Sequence, residues 1–343
     1  MVDLFKNEVA EFIYKRTYSR WREDDNRRED WPETIERFIG FIAEERPDIP
    51  EKTQNKIRKY MMKFAVMPSM RFLWAAGPAA KADNTTIYNC SFAKMNTVDA
   101  FAECLYVLMC GTGFGFSVEK EEIEKLPEIP VIKSGQPLPK VRIEDSKAGW
   151  ADSVKTLMNS LYDGQNIYFN YDEIRLEGAR LKTMGGRASG PAPLIKLHDF
   201  LRETMHNAQG RKLTPLEAHD ICNQIAEIVV VGGVRRSSQI SLSDLDDQEM
   251  RHAKDWPYPI KRAMANNSAI YREKPTAAEF LQEWGSLAQS GTGERGIFNL
   301  EAAQSKAPSI RRPLAVPWPG LAWCGLHVHV GPRCGVGHLR RAE

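Results

Sequence analysis

The sequence predicts an α/β protein with a helical front end. Three observations carry this. From about residue 85 onward, helix-periodic stretches alternate with short apolar runs of strand length. Everything before that point is charged and reads as helix. Two later helices begin with capping-box patterns. A chain of 343 residues suits two or three domain-sized units or one large one, and can remove ~75 % of its unfolded surface from water.

Taken in order, Ile35, Phe38, Ile39 and Ile42 fall at helical spacing after Pro32, which suits a first-turn position. Ile57 to Ala65 reads as another helix, ended before Pro68. Residues 85–92 alternate as a strand does, 98–110 read as a buried helix, and Phe116-Ser117-Val118 opens another strand. The signal weakens over 123–172, with Pro and Gly punctuating 127–139; Asp145-Ser146-Lys147-Ala148-Gly149-Trp150 then leads into a helix over 151–162. Residues 175–194 read as a Gly-rich connector. Thr214-Pro215-Leu216-Glu217 caps a helix over 215–230 whose apolar stripe is Ile221, Ile225 and Ile228. Gln239-Ile240-Ser241-Leu242 follows as a strand. Asn266-Asn267-Ser268 reads as a turn before the strand Ala269-Ile270-Tyr271. Thr276-Ala277-Ala278-Glu279 caps one more helix, with Phe280, Trp284 and Leu287 on one face. Gly293 to Asn299 reads as a loop entering a strand, with Glu294 and Arg295 paired to each other.

Composition excludes more than it selects. With 47 basic and 45 acidic side chains, nothing argues for nucleic-acid or membrane binding. No apolar run approaches the ~20 residues of a membrane span, and the start, Met1-Val2-Asp3-Leu4-Phe5-Lys6, lacks the pattern of a signal peptide. A cytoplasmic protein is expected. Six cysteines are too sparse for a disulfide scaffold, so a disulfide here would be catalytic. Past residue 306 the composition turns to Pro, Gly, Arg, Trp and His, and the only acidic residue is Glu343. Cys324, His327, His329, Cys334 and His338 are metal-ligand types, but their spacing matches no standard finger and no metal site is assigned. The stretch reads as a foreign terminus.

Cys90, in Tyr88-Asn89-Cys90-Ser91-Phe92, is open to two readings: a packed small hydrophobe, or a reactive thiol. Cys104, Cys110 and Cys222 lie in apolar helical runs and read as packed. Three Gly-rich turns follow, 111–117, 185–191 and 232–238. Glycines let backbone N–H groups approach a phosphate, and Arg adds a bidentate fork. None is a P-loop, for each lacks the Gly-Lys-Ser/Thr ending. Each alone is a structural loop as readily as a binding loop. Three in one α/β chain, two with arginine, point to a nucleotide.

Together these motifs resemble the large catalytic subunit of ribonucleotide reductases, most closely the adenosylcobalamin-dependent class II ribonucleoside-triphosphate reductases. The resemblance rests on Arg16 to Trp21, Met67 to Trp74, Asn89 to Phe92, Gly111 to Glu119, Asp145 to Trp150, Gly178 to Pro191, Gly232 to Asp247, Asn266 to Tyr271 and Gly293 to Asn299. They occur in the family's order over about residues 10–305. The resemblance implies a helical N-terminal region (1–75), then the first half of a ten-stranded α/β barrel (76–305) with an effector-site insert at about 120–172, and a non-family tail (306–343).

It implies a catalytic role for Cys90, as the first of a cysteine pair that reduces the ribose 2′ carbon. The family makes a thiyl radical with adenosylcobalamin and restores the pair with a thioredoxin-type reductant. Gly178–Gly190 and Gly232–Gln239 match the two loops that bind a deoxynucleotide effector. Arg187, Ser189, Gly232, Gly233, Arg235, Arg236, Ser237 and Gln239 are the candidates there. The second cysteine of the pair and the thiyl cysteine have no match in 306–343. The chain is therefore expected to be a truncated reductase, inactive alone, with a separate C-terminal half as a partner. The alternative is a nucleotide-binding regulatory fragment without catalysis.

Overall fold

The computed structural model describes residues 5–133, 140–179, 187–229 and 238–306. The tail, the loop glycines Gly232 and Gly233, and Arg235, Arg236 and Ser237 lie outside the described residues. The chain divides into two compact units, the second taking up the chain at Cys90.

The first unit is built from α1 (Glu8–Thr17), the short hairpin β1 (Trp21–Arg22) and β2 (Arg27–Arg28), α2 (Trp31–Glu45), α3 (Glu51–Met62), α4 (Met70–Ala75) and α5 (Pro78–Ala82). Helix α2 starts where its sequence says it should. Asp30 accepts from the Glu33 amide at 2.9 Å, and Glu33 accepts from the Asp30 amide at 2.8 Å. Its stripe buries Ile35, Phe38 and Ile39, with Ile42 at the rim, against Tyr14, Met61 and Leu73. Beneath this core Glu29 is buried and bound by Arg37, which also donates to the Leu73 and Ala76 carbonyls. Helix α3 begins at Glu51, earlier than its apolar residues indicate, and stops before Phe64, which takes a left-handed conformation at φ 55°.

The strand read over 85–92 is not formed. Asn84–Ile87 is a 3-10 turn, because the Asp83 side chain accepts from the Thr85 amide and the Thr86 hydroxyl donates to the Asp83 carbonyl. The strand begins only at Cys90.

The second unit is built on an all-parallel sheet with most of its helices on one face. Its strands are β3 (Cys90–Lys94), β4 (Gly113–Ser117), β7 (Gln239–Asp244), β8 (Ala265–Tyr271) and β9 (Gly296–Asn299), side by side in that order. Helix α6 (Val98–Met109) crosses from β3 to β4, as a parallel pair requires. After α7 (Lys120–Ile123), a separate parallel pair β5 (Lys140–Arg142) and β6 (Tyr168–Asn170) flanks α8 (Lys147–Tyr162). Then come α9 (Ala192–Asn207) and α10 (Pro215–Val229), α11 (Gln248–Arg251) after β7, α12 (Ala277–Ser290) after β8, and α13 (Leu300–Lys306) after β9. The core lies between the sheet and α6, α8, α9 and α10, with Phe101, Phe116, Leu105, Leu157, Leu197 and Ile221 fully buried.

Several expectations change. The Gly-rich stretch 111–117 is a turn only at Gly111 (φ 75°); from Gly113 it is a central strand. Gly115 is needed for packing, since a Cβ there would lie 2.9 Å from the Phe92 ring. Asn266 and Asn267 belong to β8 rather than to a turn. Helix α8 starts four residues early because Ser146 accepts from the Gly149 amide. Helix α9 was masked by Pro191 and Pro193, which occupy its first turn, where proline costs no hydrogen bond. Glu294 and Arg295 do not pair with each other. Arg295 binds Glu283, and Glu294 binds Lys254 at 2.5 Å. Helix α12 is capped as expected, yet its only buried residue is Glu283; Phe280, Leu281 and Trp284 face outward.

Candidate functional site

Side chains alternate between the two faces of a strand, and residues in parallel register share a face. Phe114, Phe116, Gln239 and Ser241 therefore point to the helices, and Cys90, Phe92 and Lys94 to the opposite face. That opposite face has an apolar middle. Phe92, Ile240, Leu242, Ile270 and Phe298 cluster there under Leu300 and Ala303 of α13.

Cys90 stands at the start of β3, at the edge of the sheet, in register with Gly113. The neighbouring strand presents Gly113 and Gly115 on this face, so no side chain walls the thiol off from that side. Cys90 is half-buried. Cys104, Cys110 and Cys222 are fully buried among the helices. Lys147 Nζ donates to Cys110 Sγ at 3.2 Å, and Gln239 Nε2 donates to Cys104 Sγ at 3.4 Å. Burial pushes the Cys222 thiol well above its ordinary pKa. Among the described cysteines, only Cys90 combines a free thiol with partial exposure.

The far end of the same face is charged. Ser117 donates to Glu119 at 2.6 Å, Arg272 binds the other Glu119 oxygen, and Asp244 accepts from the Lys120 amide at 2.7 Å. Burial raises the Glu119 carboxyl above the usual carboxylate range, and the hydrogen bond from Ser117 and the charge of Arg272 oppose that rise. Burial works the same way on Glu122, but hydrogen bonds from Lys125, Lys94 and Asn96 outweigh it and hold that carboxyl low. These groups neutralise one another and cap the sheet end. The sequence could not assemble them, because Glu119 and Arg272 are 153 residues apart.

The expected effector residues are placed in part. Arg187 is exposed and Ser189 half-buried. The loop between them and Ala179 is closed at its root, where the Gly178 amide donates to the Ala188 carbonyl and the Ala188 amide to the Ala179 carbonyl, at 2.9 and 2.8 Å. Gly190 sits at φ 71°, and a Cβ there would meet the Glu177 amide at 3.1 Å. Gln239 is a correction. It is buried and turned to the helices, donating to Cys104 Sγ and, at 3.1 Å, to the Cys222 carbonyl. These bonds anchor the start of β7 to the helices.

Among the described residues no group of three or more His, Cys, Asp or Glu could hold a metal, and no helix is long and apolar enough to cross a membrane.

Comparison with known proteins fits this geometry. Residues 2–78 match the ribonucleotide reductase alpha domain. An adenosylcobalamin-dependent ribonucleoside-triphosphate reductase of Lactobacillus helveticus is 28 % identical over 373 aligned positions, covering 87 % of this chain and 49 % of that protein. One from Euglena gracilis is 29 % identical, covering 77 % of this chain and 39 % of its own length. The crystal structure of a B12-dependent class II ribonucleotide reductase superposes with a TM-score of 0.73 at 24 % identity, over 85 % of this chain and 49 % of that one. The chain thus spans about half the length of the curated relatives it matches, and the resemblance read from its motifs is borne out for their N-terminal part. The parallel sheet with its helices is that fold's.

Proposed function

We propose that this chain, as the N-terminal part of a class II ribonucleotide reductase, supplies one of the two thiols that reduce a ribonucleotide, most simply a triphosphate, to a deoxyribonucleotide. The observation that carries this is Cys90, the one described cysteine that is both free and partly exposed, on the face of the parallel sheet opposite α6 and α10. In the reaction the ribose 2′ C–O bond is replaced by C–H. The oxygen leaves as water and two thiols become one disulfide, carrying two electrons to the substrate. Cys90 is one of those thiols and donates the proton to the departing hydroxyl. The buried Cys104, Cys110 and Cys222 are unsuited to be its partner. The partner thiol and the radical-bearing residue come from a separate C-terminal half, and a thioredoxin-type reductant reopens the disulfide by exchange.

Adenosylcobalamin is named for the relatives. No described residue carries a feature specific to that cofactor. We assign residues 1–75 to a helical region, 76–305 to the half-barrel and about 120–172 to an effector segment. Arg187 and Ser189, with Gly232, Gly233, Arg235, Arg236 and Ser237, would bind a deoxynucleotide effector, and Gln239 would hold the root of the second loop. The setting is cytoplasmic.

The test is reconstitution. The chain is co-expressed with the C-terminal half of a relative and assayed for CTP reduction with adenosylcobalamin and a dithiol. Reduction that disappears with Cys90→Ser is expected; an undiminished rate in that variant would overturn the assignment. The regulatory-fragment reading gains from the closed loop root at Gly178 and Ala188. It predicts calorimetric binding of dTTP, dATP or dGTP to this chain alone, weakened by Arg235→Ala or Arg236→Ala; no binding at millimolar nucleotide would exclude it.

A further inference from the structure

Behind the sheet, away from Cys90, lies a seam of polar side chains, of which Gln239 alone belongs to an expected effector loop. Helix α10 presents His219 and Asn223, one turn apart, to the helix-side face of the sheet. Facing them, β7 presents Gln239 and Ser241, and β8 presents Asn267, which is in register with Ser241. All five are buried, His219, Asn223 and Ser241 completely. The seam is tied together at its middle, where His219 Nδ1 pairs with Ser241 Oγ at 2.9 Å, and at one end, where Gln239 Nε2 donates to the Cys222 carbonyl at 3.1 Å.

The remaining atoms of the same side chains find nothing in the protein. Among the described residues, His219 Nε2, Asn223 Oδ1, Gln239 Oε1 and Asn267 Oδ1 are buried without a hydrogen-bond partner. They come from three elements and fall in one layer. Native proteins rarely leave even isolated polar groups in this state. Three of the four are carbonyl oxygens, which need a donor. The fourth is the second nitrogen of a ring whose burial and cationic neighbours keep it neutral, with its pKa lowered to about 3. No carboxylate is among them, so the seam has no charge to match a multivalent cation. A water that accepts from the ring N–H and donates to two of the oxygens satisfies three of the four.

We propose that this seam is a binding site for internal water, held between α10 and the helix-side face of β7 and β8. A buried water needs two to four polar partners, and the seam offers four that lack any other. The water would bridge His219 Nε2 to the amide oxygens and complete the contact between α10 and the sheet. Its placement has a consequence, because α10 ends at Val229 and β7 begins at Gln239. The Gln239 root of the 230–238 loop would thus rest on a hydrated joint rather than on dry packing. The inference stands independently of the proposed reductase role.

The experiment is a crystal structure of the full chain at a resolution that shows ordered solvent, with melting curves of two variants. The expected result is a water within hydrogen-bonding distance of His219 Nε2 and of at least one of the three amide oxygens. Asn267→Ser, which keeps a polar group and leaves room for another water, is expected to melt higher than Asn267→Leu, which fills the joint with an apolar side chain. A dry seam in which the amides rotate to bond one another, or Asn267→Leu melting at or above Asn267→Ser, would overturn the proposal.

Discussion

Glu283 is the residue whose loss should cost this fold most for its size. It is the single buried residue of α12 and faces two arginines, Arg251 and Arg295, that are 5 % and 1 % exposed at their side chains. Three hydrogen bonds reach its carboxylate, from Arg295 Nε at 2.6 Å, Arg251 Nε at 2.8 Å and Arg295 Nη2 at 3.0 Å. The same arginines donate to the Asp244 and Leu245 carbonyls, so the group locks α12 to the end of β7. Burial alone would raise the Glu283 carboxyl, but the two guanidinium groups overcome this and hold it below the usual range.

Glu283→Ala removes the carboxylate and leaves two buried cations facing each other. Breaking a buried pair from one side costs ~3–5 kcal/mol, against a total stability of ~5–15 kcal/mol. The exposed pair Arg46–Asp48, with both side chains 62 % exposed, is the internal control; Asp48→Ala should leave the midpoint nearly unchanged. Urea unfolding at neutral pH measures both, as a midpoint shift at unchanged slope. Should Glu283→Ala fail to fold, Glu283→Gln keeps the shape and loses the charge, and should be intermediate. A loss below ~1 kcal/mol in Glu283→Ala would refute the view that this carboxylate holds the arginines in place.

Three further outcomes follow from the same structure. His219 is buried and neutral, its pKa pushed down from 6.5 to about 3 chiefly by burial. The unfolded chain takes up that proton first as pH falls below 6.5, so stability drops between pH 6.5 and 3 by ~1.4 kcal/mol per unit for this group. His219→Gln should therefore show a shallower fall in urea midpoint from pH 7 to 5.5, and an identical slope would count against the buried neutral ring. Gly115→Ala places a Cβ 2.9 Å from the Phe92 ring and should cost ~1–3 kcal/mol; adding Phe92→Leu should recover part of it, and additive losses would show that the ring is not the obstacle. Asp30→Ala removes the capping bond to the Glu33 amide and should lower stability by ~1 kcal/mol in the first unit, read from helical circular dichroism during unfolding.

What the sequence disclosed tracks how local the physics is. The first-turn Pro32, the caps at Thr214 and Thr276 and the stripe Ile221, Ile225, Ile228 act within a few residues, and α2, α10 and α12 were legible from them. The orientation of α12 was not. Its buried face is set by Arg251 and Arg295 from other elements, which outweigh the apolar Phe280 and Trp284. Strand β4 hid behind its glycines, because Gly113 and Gly115 look like a loop until Phe92 is seen lying on one of them. Asn267 disguised β8 in the same way, since a buried asparagine in a strand is explained only by the seam against α10. Cys90 was singled out by its sequence neighbours. Its distinction from Cys104, Cys110 and Cys222 depends on which face of which element each occupies, and that required the sheet.

On the proposed function, Cys90 alone among the four described cysteines is placed to do chemistry. Alkylation of the folded chain with iodoacetamide, followed by peptide mapping over time, tests it directly. Modification of Cys90 first, with Cys104, Cys110 and Cys222 reacting only after denaturation, is the predicted result. Labelling of any of those three as fast as Cys90, or a Cys90 that stays protected until the chain unfolds, would contradict it.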